Sequence, residues 1–233
     1  MGAAPFPEWL PAGNFQDFDG LIMGFRYTES AMLELIRSGL GHWPPEPRQP
    51  LTDGLIREAA VLIAVTRASD PKLVFIKRAE HLSSHGGQVA FPGGMWEPGD
   101  DSLLHTALRE SEEEIALPPQ EVEIVASLPV QATIFNVRVS PYVGFIPDGL
   151  RFVPERGELD AVFEVPLSYL ADPANMAATE FALRDGRYRV PCYFFEGYCI
   201  WGFTLHLVAD LLTETFGLSL SLDYHPLDGQ QKR

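Results

Sequence analysis

The sequence is poor in basic residues, in cysteine and in long apolar runs, and each shortage excludes a class of protein. Its 17 lysines and arginines stand against 32 aspartates and glutamates, so the formal net charge is −15 at pH 7. This sign argues against nucleic acid and anionic membranes as partners, because both are polyanions. The two cysteines, Cys192 and Cys199, are too few for a disulfide framework and favour a reducing compartment.

The apolar residues are spread out rather than gathered. No run approaches the roughly 18 residues that a membrane span needs, so no membrane partner is expected. The opening residues, MGAAPFPEWLPAG, lack the basic region and apolar core of a signal peptide. Together these shortages predict a cytoplasmic protein.

The 233 residues suit one domain with a large sheet, or one domain with appendages. Residues 1–50 are rich in proline and aromatics, and helical spacing occurs only in 29–41. We therefore predict an N-terminal extension, 1–50, with one helix packed on a main domain, 51–233.

The main domain contains a mixture of strand and helix patterns, which predicts an α/β fold. Strands are predicted in AAVLIAVTR, KLVFIKR, EVEIVASLPV, VRVSPYVGFI and, as a hairpin across Asp185-Gly186, FALRDGRYRV. The turn signal Ser69-Asp70-Pro71 joins the first two strands. TLHLVADLLTETFG reads as an amphipathic helix that ends at Gly217.

An unusually acidic helix is predicted after the glycine-rich turn FPGG. Asp100, Asp101 and Ser102 supply N-cap chemistry for it. At about 100° per residue, one apolar stripe and a separate acidic face follow. The stripe consists of Leu104, Leu108, Ser111 and Ile115, and the acidic face of Glu110, Glu113 and Glu114.

Two interpretations of the acidic face are open. A solvated charged surface is the commoner use of such a cluster. The alternative is a cation site, because three carboxylates on one face are the hard oxygen ligands that Mg²⁺ and Mn²⁺ prefer. The neighbouring glycines favour the second interpretation, since their backbone can approach a ligand.

This stretch resembles a Nudix box, G-x5-E-x7-R-E-U-x-E-E-x-G-U, in which U is a bulky apolar residue. Gly94, Arg109-Glu110, Glu113-Glu114 and Leu117 match the pattern. The sequence departs from it at Asp101, which replaces the first glutamate after a gap one residue longer, and at Ser111 and Ala116, which replace an apolar residue and a glycine.

A second motif upstream resembles that of the coenzyme A diphosphatase branch, L-L-T-x-R-[SA]-x3-R-x3-G-x3-F-P-G-G. The matching stretch is VFIKRAEHLSSHGGQVAFPGG, with Arg78-Ala79, Gly87 and residues 91–94 at the required spacing. Ser83 replaces the second arginine, and a serine cannot make the bidentate contact to phosphate that arginine makes.

The resemblance implies an α/β/α sandwich with a mixed sheet, in which the box forms a loop, a helix and a loop. It implies hydrolysis of a nucleoside diphosphate derivative by water with Mg²⁺ or Mn²⁺ as cofactor. Glu110 and Glu114 match the principal metal ligands, Glu113 a further ligand or water-activating acid, and the carbonyl of Gly94 an additional ligand.

The catalytic set that the resemblance implies is Arg109 with one of two glutamates. Either Glu113 or Glu158, in the later segment ELDAVFEVPL, is the general base. Arg109 is expected to hold the box together through a carboxylate such as Asp101, which, with Gly93, is assigned a structural role.

Coenzyme A is the favoured small-molecule substrate, and Arg78, His85, Gly87 and Phe91 are the candidates to bind it. His85 has loop packing as an alternative role, and Phe91 a role in shaping the approach to the glycines. ADP-ribose, NADH or another nucleoside diphosphate derivative is the alternative substrate, which Ser83 favours. A non-catalytic nucleotide-binding domain of the same family is the alternative of another class, and a homodimer is left open.

Overall fold

The structure is a computed structural model, and it describes residues 20–22, 25–41, 57–183 and 186–227. Its helices are α1 (Glu29–Leu40), α2 (Leu103–Ile115), α3 (Leu167–Ala171) and α4 (Gly202–Phe216). Short 3₁₀ turns lie at Pro119–Glu121 and Pro173–Asn175. None of the helices in these ranges is long and apolar enough to cross a membrane.

The strands fall into three sheets. A two-stranded sheet contains β1 (Gly20–Ile22) and β2 (Phe25–Tyr27). The central sheet contains β3 (Arg57–Arg67), β4 (Lys72–Arg78), β5 (Val89–Ala90), β6 (Gly93–Met95), β7 (Glu123–Ser127), β8 (Gln131–Ala132), β9 (Val137–Pro147) and β10 (Leu159–Pro166). The third contains β11 (Met176–Leu183), β12 (Gly186–Phe195), β13 (Tyr198–Trp201) and β14 (His225–Pro226).

The central sheet is mixed, in the order β10-β4-β3-β9-β7. β3 and β9 run parallel along their whole lengths, and the other pairs are antiparallel. β3 and β4 pair only at Val65 and Leu73. Beyond that point β5 pairs with β4 and β6 with β3, so the β5–β6 segment enters where the two strands diverge.

Alternate residues of the central strands point to opposite faces, and each face carries helices. Ala60, Leu62 and Ala64 of β3 share one buried cluster with residues of α2. Ile63 and Val65 share the other with residues of α1, α3 and α4. This arrangement confirms the predicted α/β/α sandwich with a mixed sheet.

The predicted N-terminal helix exists and belongs to the core. Met32, Ile36 and Leu40 are buried in the cluster that α4 completes. At Gly39 the two helices are close: a Cβ there would lie 2.7 Å from the carbonyl oxygen of Glu214. The division of the chain at residue 50 stays a prediction, since residues 42–56 lie outside the described ranges.

The C-terminal third also follows most of the predicted pattern. α4 ends as predicted, with Gly217 as its left-handed C-cap. β11 and β12 form the predicted hairpin, although its turn residues 184–185 lie outside the described ranges. The hairpin of β12 with β13, across Glu196-Gly197, was not predicted; both turn residues have positive φ, as tight hairpin turns require.

Candidate active site

The site is built on α2, which the sequence places correctly. Ser102 caps it by accepting a hydrogen bond from the His105 amide, as predicted. The predicted apolar stripe is only partly right, because Leu103 and Ala107 are buried while Leu104 and Leu108 are half-buried. The buried face is therefore rotated, and Glu114, seven residues after Ala107, falls on it.

The N-terminal end of the helix is fixed by an anchor, which consists of Asp100, Thr106 and Arg109. Arg109 Nε lies 2.8 Å from Asp100 Oδ1 and Nη2 lies 3.1 Å from Oδ2, a bidentate pair. Asp100 Oδ2 also accepts hydrogen bonds from the Thr106 hydroxyl and the Glu97 amide. These donors, the Arg109 guanidinium first, hold the pKa of the Asp100 carboxyl well below its usual range.

This anchor corrects one prediction: Arg109 is held by Asp100 and not by Asp101. Asp101 is exposed, and its backbone amide donates to His105 Nδ1. The residue spacing of the Nudix box indicates the wrong aspartate. Asp100 and Asp101 both lie in the irregular segment before α2, where the position of a residue in the sequence does not predict which way its side chain points.

Arg109 also joins the anchor to the acidic face. Its Nη1 lies 3.0 Å from Glu110 Oε1 and 3.0 Å from Glu113 Oε2, and its Nη2 donates to the Met95 carbonyl. Through these hydrogen bonds Arg109 connects α2 to β6 and fixes their relative orientation. Its assignment to the catalytic set stays a prediction.

At the other end of α2, Glu114 is buried against the glycine turn. Its side chain is 4% exposed, its Oε2 accepts the Gly93 amide at 3.0 Å, and its Oε1 lies 3.8 Å from Arg78 Nη1. Burial raises the pKa of Glu114 to about 7, and the negative charges of Glu110 and Glu158 add to that rise.

Glu110 lies directly over the second glycine. A Cβ at Gly94 would lie 2.3 Å from the Glu110 carboxyl carbon, so only glycine allows this approach. Gly93, with φ of 152°, would place a Cβ 2.2 Å from the Ala60 carbonyl oxygen, and glycine is required more strictly there, because backbone atoms cannot move aside as the end of the Glu110 side chain can. Burial raises the pKa of Glu110, and the charges of Glu113 and Glu158 add to this effect against that of Arg109.

A later loop, residues 150–158, brings Glu158 to the same place. Its backbone amides of Val153 and Glu155 donate to the carbonyls of Ile115 and Glu114, at the C-terminal end of α2. Its Glu158 carbonyl accepts the Ala79 amide at 2.8 Å. We name Glu110, Glu114 and Glu158 the carboxylate cluster, because the charge of Glu158 acts on the pKa of each of the other two.

The predicted acidic face is therefore not uniform. Glu113, which was expected to lie beside Glu114, has a side chain that is 60% exposed and paired with Arg109. Glu158, 44 positions further along the chain than Glu114, lies near Glu110 and Glu114 instead. Folding brings Glu158 to this place, and in the sequence only the family resemblance indicated it as a site residue.

The predicted substrate-binding residues lie in or next to the β4–β5 loop, residues 79–88. Arg78 stands at its start, and Gly87, with φ of 73°, donates its amide to the Arg78 carbonyl. His85 is exposed, with Nδ1 2.9 Å from Gln88 Oε1 and its ring edge-on to Phe135 at 5.5 Å.

Phe91 is the exception and requires a correction. It is 3% exposed and stacks on Phe75, with ring centroids 4.6 Å apart. The ring is part of the core and does not reach a substrate, so the alternative role of shaping the approach to Gly93 is the one that fits.

Sequence reasoning missed three features near the site. Asp100 was passed over for its neighbour, and the backbone contacts of Val153 and Glu155 leave no trace in the sequence. The third feature is the loop between β8 and β9, where Ile134 is 91% exposed and Phe135 46% exposed. Its signal was available, since two large apolar residues follow a threonine in a loop otherwise rich in polar residues.

The donor set fits a hard divalent cation. In the described part of the chain, no three or more histidine, cysteine, aspartate or glutamate side chains are arranged so that they could hold a metal ion together. Burial raises the pKa of Glu110 and of Glu114, and their acidic neighbours add to that rise, so a divalent cation beside them would favour the ionised carboxylates. Carboxylate oxygens are the ligands that Mg²⁺ and Mn²⁺ prefer.

Comparison with known proteins gives a family. Residues 56–182 match the family model described as the NUDIX domain. Two proteins named uncharacterized Nudix hydrolase NudL, from Salmonella paratyphi B and Salmonella newport, are each 41% identical over 155 residues, which is 66% of this chain and 81% of theirs.

Solved structures with a similar fold include a MutT/nudix family protein from Enterococcus faecalis. It is 14% identical, with a TM-score of 0.46 over 69% of this chain and 62% of that one. The NUDIX domain of Shewanella oneidensis NrtR, solved in complex with ADP ribose, is 18% identical, with a TM-score of 0.42 over 52% of this chain and 79% of that one.

Proposed function

The chain belongs to the Nudix hydrolase family, and from that premise we propose that it hydrolyses the diphosphate linkage of coenzyme A or acyl-coenzyme A. The products are 3′,5′-ADP and 4′-phosphopantetheine, or its acyl form. The reaction depends on Mg²⁺ or Mn²⁺.

The observation that carries the proposal is the carboxylate cluster around Gly93 and Gly94. Glu114 is almost fully buried, yet it has one backbone donor and an arginine at 3.8 Å, which leaves its charge poorly balanced. A diphosphate cannot bind beside this charge unless cations arrive with it. Glu110 and Glu114 would hold these cations, with the carbonyl of Gly94 as a further ligand.

A bound divalent cation polarises the phosphate oxygens and lowers the pKa of water. The residues of the chain supply the rest. Glu158 is our choice for the general base, because it is exposed beside the buried Glu114 and the half-buried Glu110, and its side-chain oxygens can accept a proton from the attacking water. Glu113 accepts a hydrogen bond from Arg109 on the exposed side of α2, and we assign it a structural role there.

Arg78 binds the diphosphate in this proposal. Its distance of 3.8 Å from Glu114 is longer than a hydrogen bond, so its guanidinium keeps donors for phosphate oxygens. The β4–β5 loop that follows it carries the residues of the coenzyme A motif, and the contact of Ala79 with Glu158 holds this loop beside the carboxylate cluster.

ADP-ribose or NADH is the alternative substrate, and Ser83 is the observation that favours it. Where the motif has arginine, the exposed Ser83 offers one neutral hydroxyl. The diphosphate chemistry is the same for these substrates, because the carboxylate cluster does not contact the group beyond the diphosphate.

The test is a product assay. Coenzyme A, acyl-coenzyme A, ADP-ribose and NADH would each be incubated with the protein in Mg²⁺, in Mn²⁺ and in chelator, with Glu114→Gln as the control. We expect metal-dependent release of 3′,5′-ADP from coenzyme A, lowered in Glu114→Gln by at least about a hundredfold. If only ADP-ribose or NADH is hydrolysed, the proposed substrate is wrong and the proposed metal-dependent mechanism still stands.

The general base is tested separately. Glu158→Gln should lower kcat at saturating Mg²⁺, whereas Glu113→Gln should keep most of kcat. The reverse result would move the base role to Glu113.

A further inference from the structure

The basic side chains that border the carboxylate cluster are mostly held by carboxylates of the protein. Lys77 is paired with Glu80 (2.7 Å) and Arg109 with Asp100 (2.8 Å), while Arg78, 3.8 Å from Glu114, is already assigned to the diphosphate. On a chain with a net charge of −15, any cation at this border without such a partner attracts anionic ligands.

Arg156 is such a cation. It is exposed, and within the described ranges its side chain takes part in no ion pair or hydrogen bond. The adjacent Glu155 does not neutralise it, because the Glu155 carboxylate accepts the Gly157 amide at 2.7 Å. The amides of Glu158 and Leu159 both donate to the Glu155 carbonyl, so Arg156 stands on a closed turn two residues before Glu158.

This turn lies against the loop from which an arginine is missing. The Ala79 amide donates to the Glu158 carbonyl at 2.8 Å, and Ser83 stands four residues after Ala79 in the same loop. The two loops therefore border one side of the carboxylate cluster together. The first loop has Ser83 where the motif has arginine, and the second carries Arg156, two residues from Glu158, without a carboxylate partner in the described ranges.

We propose that Arg156 binds the phosphomonoester of the substrate, the 3′-phosphate that coenzyme A carries apart from its diphosphate, in place of an arginine at position 83. The inference rests on the proposed function for the identity of the substrate. A guanidinium makes two parallel, charge-assisted hydrogen bonds to a phosphate, so Arg156 sets specificity for substrates with this group.

The first experiment compares coenzyme A with 3′-dephospho-coenzyme A. We expect the wild type to prefer coenzyme A and Arg156→Ala to lose about 10- to 100-fold in kcat/KM for coenzyme A with little change for the dephospho form. Arg156→Lys should recover part of the preference. Arg151→Ala is the matched control, since Arg151 is an exposed arginine of the same loop.

The double variant Ser83→Arg with Arg156→Ala tests the replacement itself. Restoring the motif arginine should restore the preference that Arg156→Ala removes. Equal losses in Arg151→Ala and Arg156→Ala would reduce the effect to the general charge of the loop and overturn the assignment.

Product binding separates this inference from the proposed function. By calorimetry in saturating Mg²⁺, adenosine 3′,5′-bisphosphate, which has no diphosphate linkage to cleave, should bind the wild type more tightly than adenosine 5′-monophosphate, and Arg156→Ala should abolish the difference. This readout holds even if coenzyme A is not turned over. If the wild type does not distinguish the two nucleotides, or if Arg156→Ala still does, the inference is wrong whatever the enzyme hydrolyses.

Discussion

Two buried carboxylates at opposite ends of α2 have opposite environments. Asp100, before the helix, receives both arms of a guanidinium, a hydroxyl and a backbone amide. Glu114, near its end, receives one amide and shares its surroundings with two further carboxylates. The pKa of Asp100 is accordingly held below its usual range, whereas that of Glu114 rises to about 7.

The comparison separates a buried carboxylate whose charge is balanced by several donors, Asp100, from one whose charge is poorly balanced, Glu114. Burial alone does not distinguish them, since both side chains are at most 4% exposed. The number of donors does: a buried charge with all its hydrogen bonds stabilises the native state, and one without them costs free energy. Substitutions at one end of the helix at a time test this difference.

The largest effect on stability is expected at the anchor. Asp100→Ala leaves the Arg109 guanidinium without its main partner and should lower the free energy of unfolding by about 4 kcal/mol at pH 7. Denaturant unfolding measures it, with Asp101→Ala as the control, which should change stability by less than about 0.5 kcal/mol. Equal losses in both variants would reinstate Asp101 as the partner of Arg109.

At the other end the expected change is a dependence on pH. The pKa of Glu114 is about 7 in the folded protein, above the usual 4.5, so the folded state binds the extra proton. Stability should therefore fall as pH rises from about 4.5 to 7, by about 3 kcal/mol. Glu114→Gln, which can still accept the Gly93 amide, should flatten this fall, and Glu112→Gln, a change at an exposed site on the same helix, should leave it unchanged.

Divalent cations should reverse that loss. Because metal binding needs the ionised carboxylate, Mg²⁺ should raise the Tm of the wild type more at pH 8 than at pH 6 and release protons on binding. At about thirty times Kd the stabilisation amounts to about 2 kcal/mol. Glu114→Gln should lose most of it, and an equal rise in that variant would place the cation elsewhere.

The smallest effect is expected at Ala116, the C-cap of α2. Its φ of 55° and ψ of 36° are left-handed values that glycine adopts freely and alanine does not. Ala116→Gly should raise the free energy of unfolding by about 1 kcal/mol, measured as a rise in Tm. A loss of the same size, as glycine causes within a helix, would mean that Ala116 is right-handed in solution.

The sequence predicts the features that depend on local residue spacing, such as helix bounds, and does not predict the side-chain orientations that depend on tertiary packing. α2 was placed from its cap and its periodicity, and α4 from its apolar face and Gly217. The difference between Asp100 and Asp101, by contrast, depends on the path of an irregular segment, and that between Glu113 and Glu114 on how the helix is rotated against β3 and β6. Glu158 reaches the site through the contacts of its loop with α2 and Ala79 and through the pairing of β10 with β4, which no local pattern contains.

The close contact of α2 with Gly93 and Gly94 has a consequence for how this part of the chain tolerates change. The segment between them and the helix is tied at both ends, by the glycines and by the anchor, while a Cβ at Gly99 in its middle would meet open space. A residue inserted beside Gly99 can therefore bulge into solvent with the carboxylates unmoved. One methyl group on Gly93 would displace them, so in this enzyme adding a carbon atom is a larger perturbation than adding an amino acid.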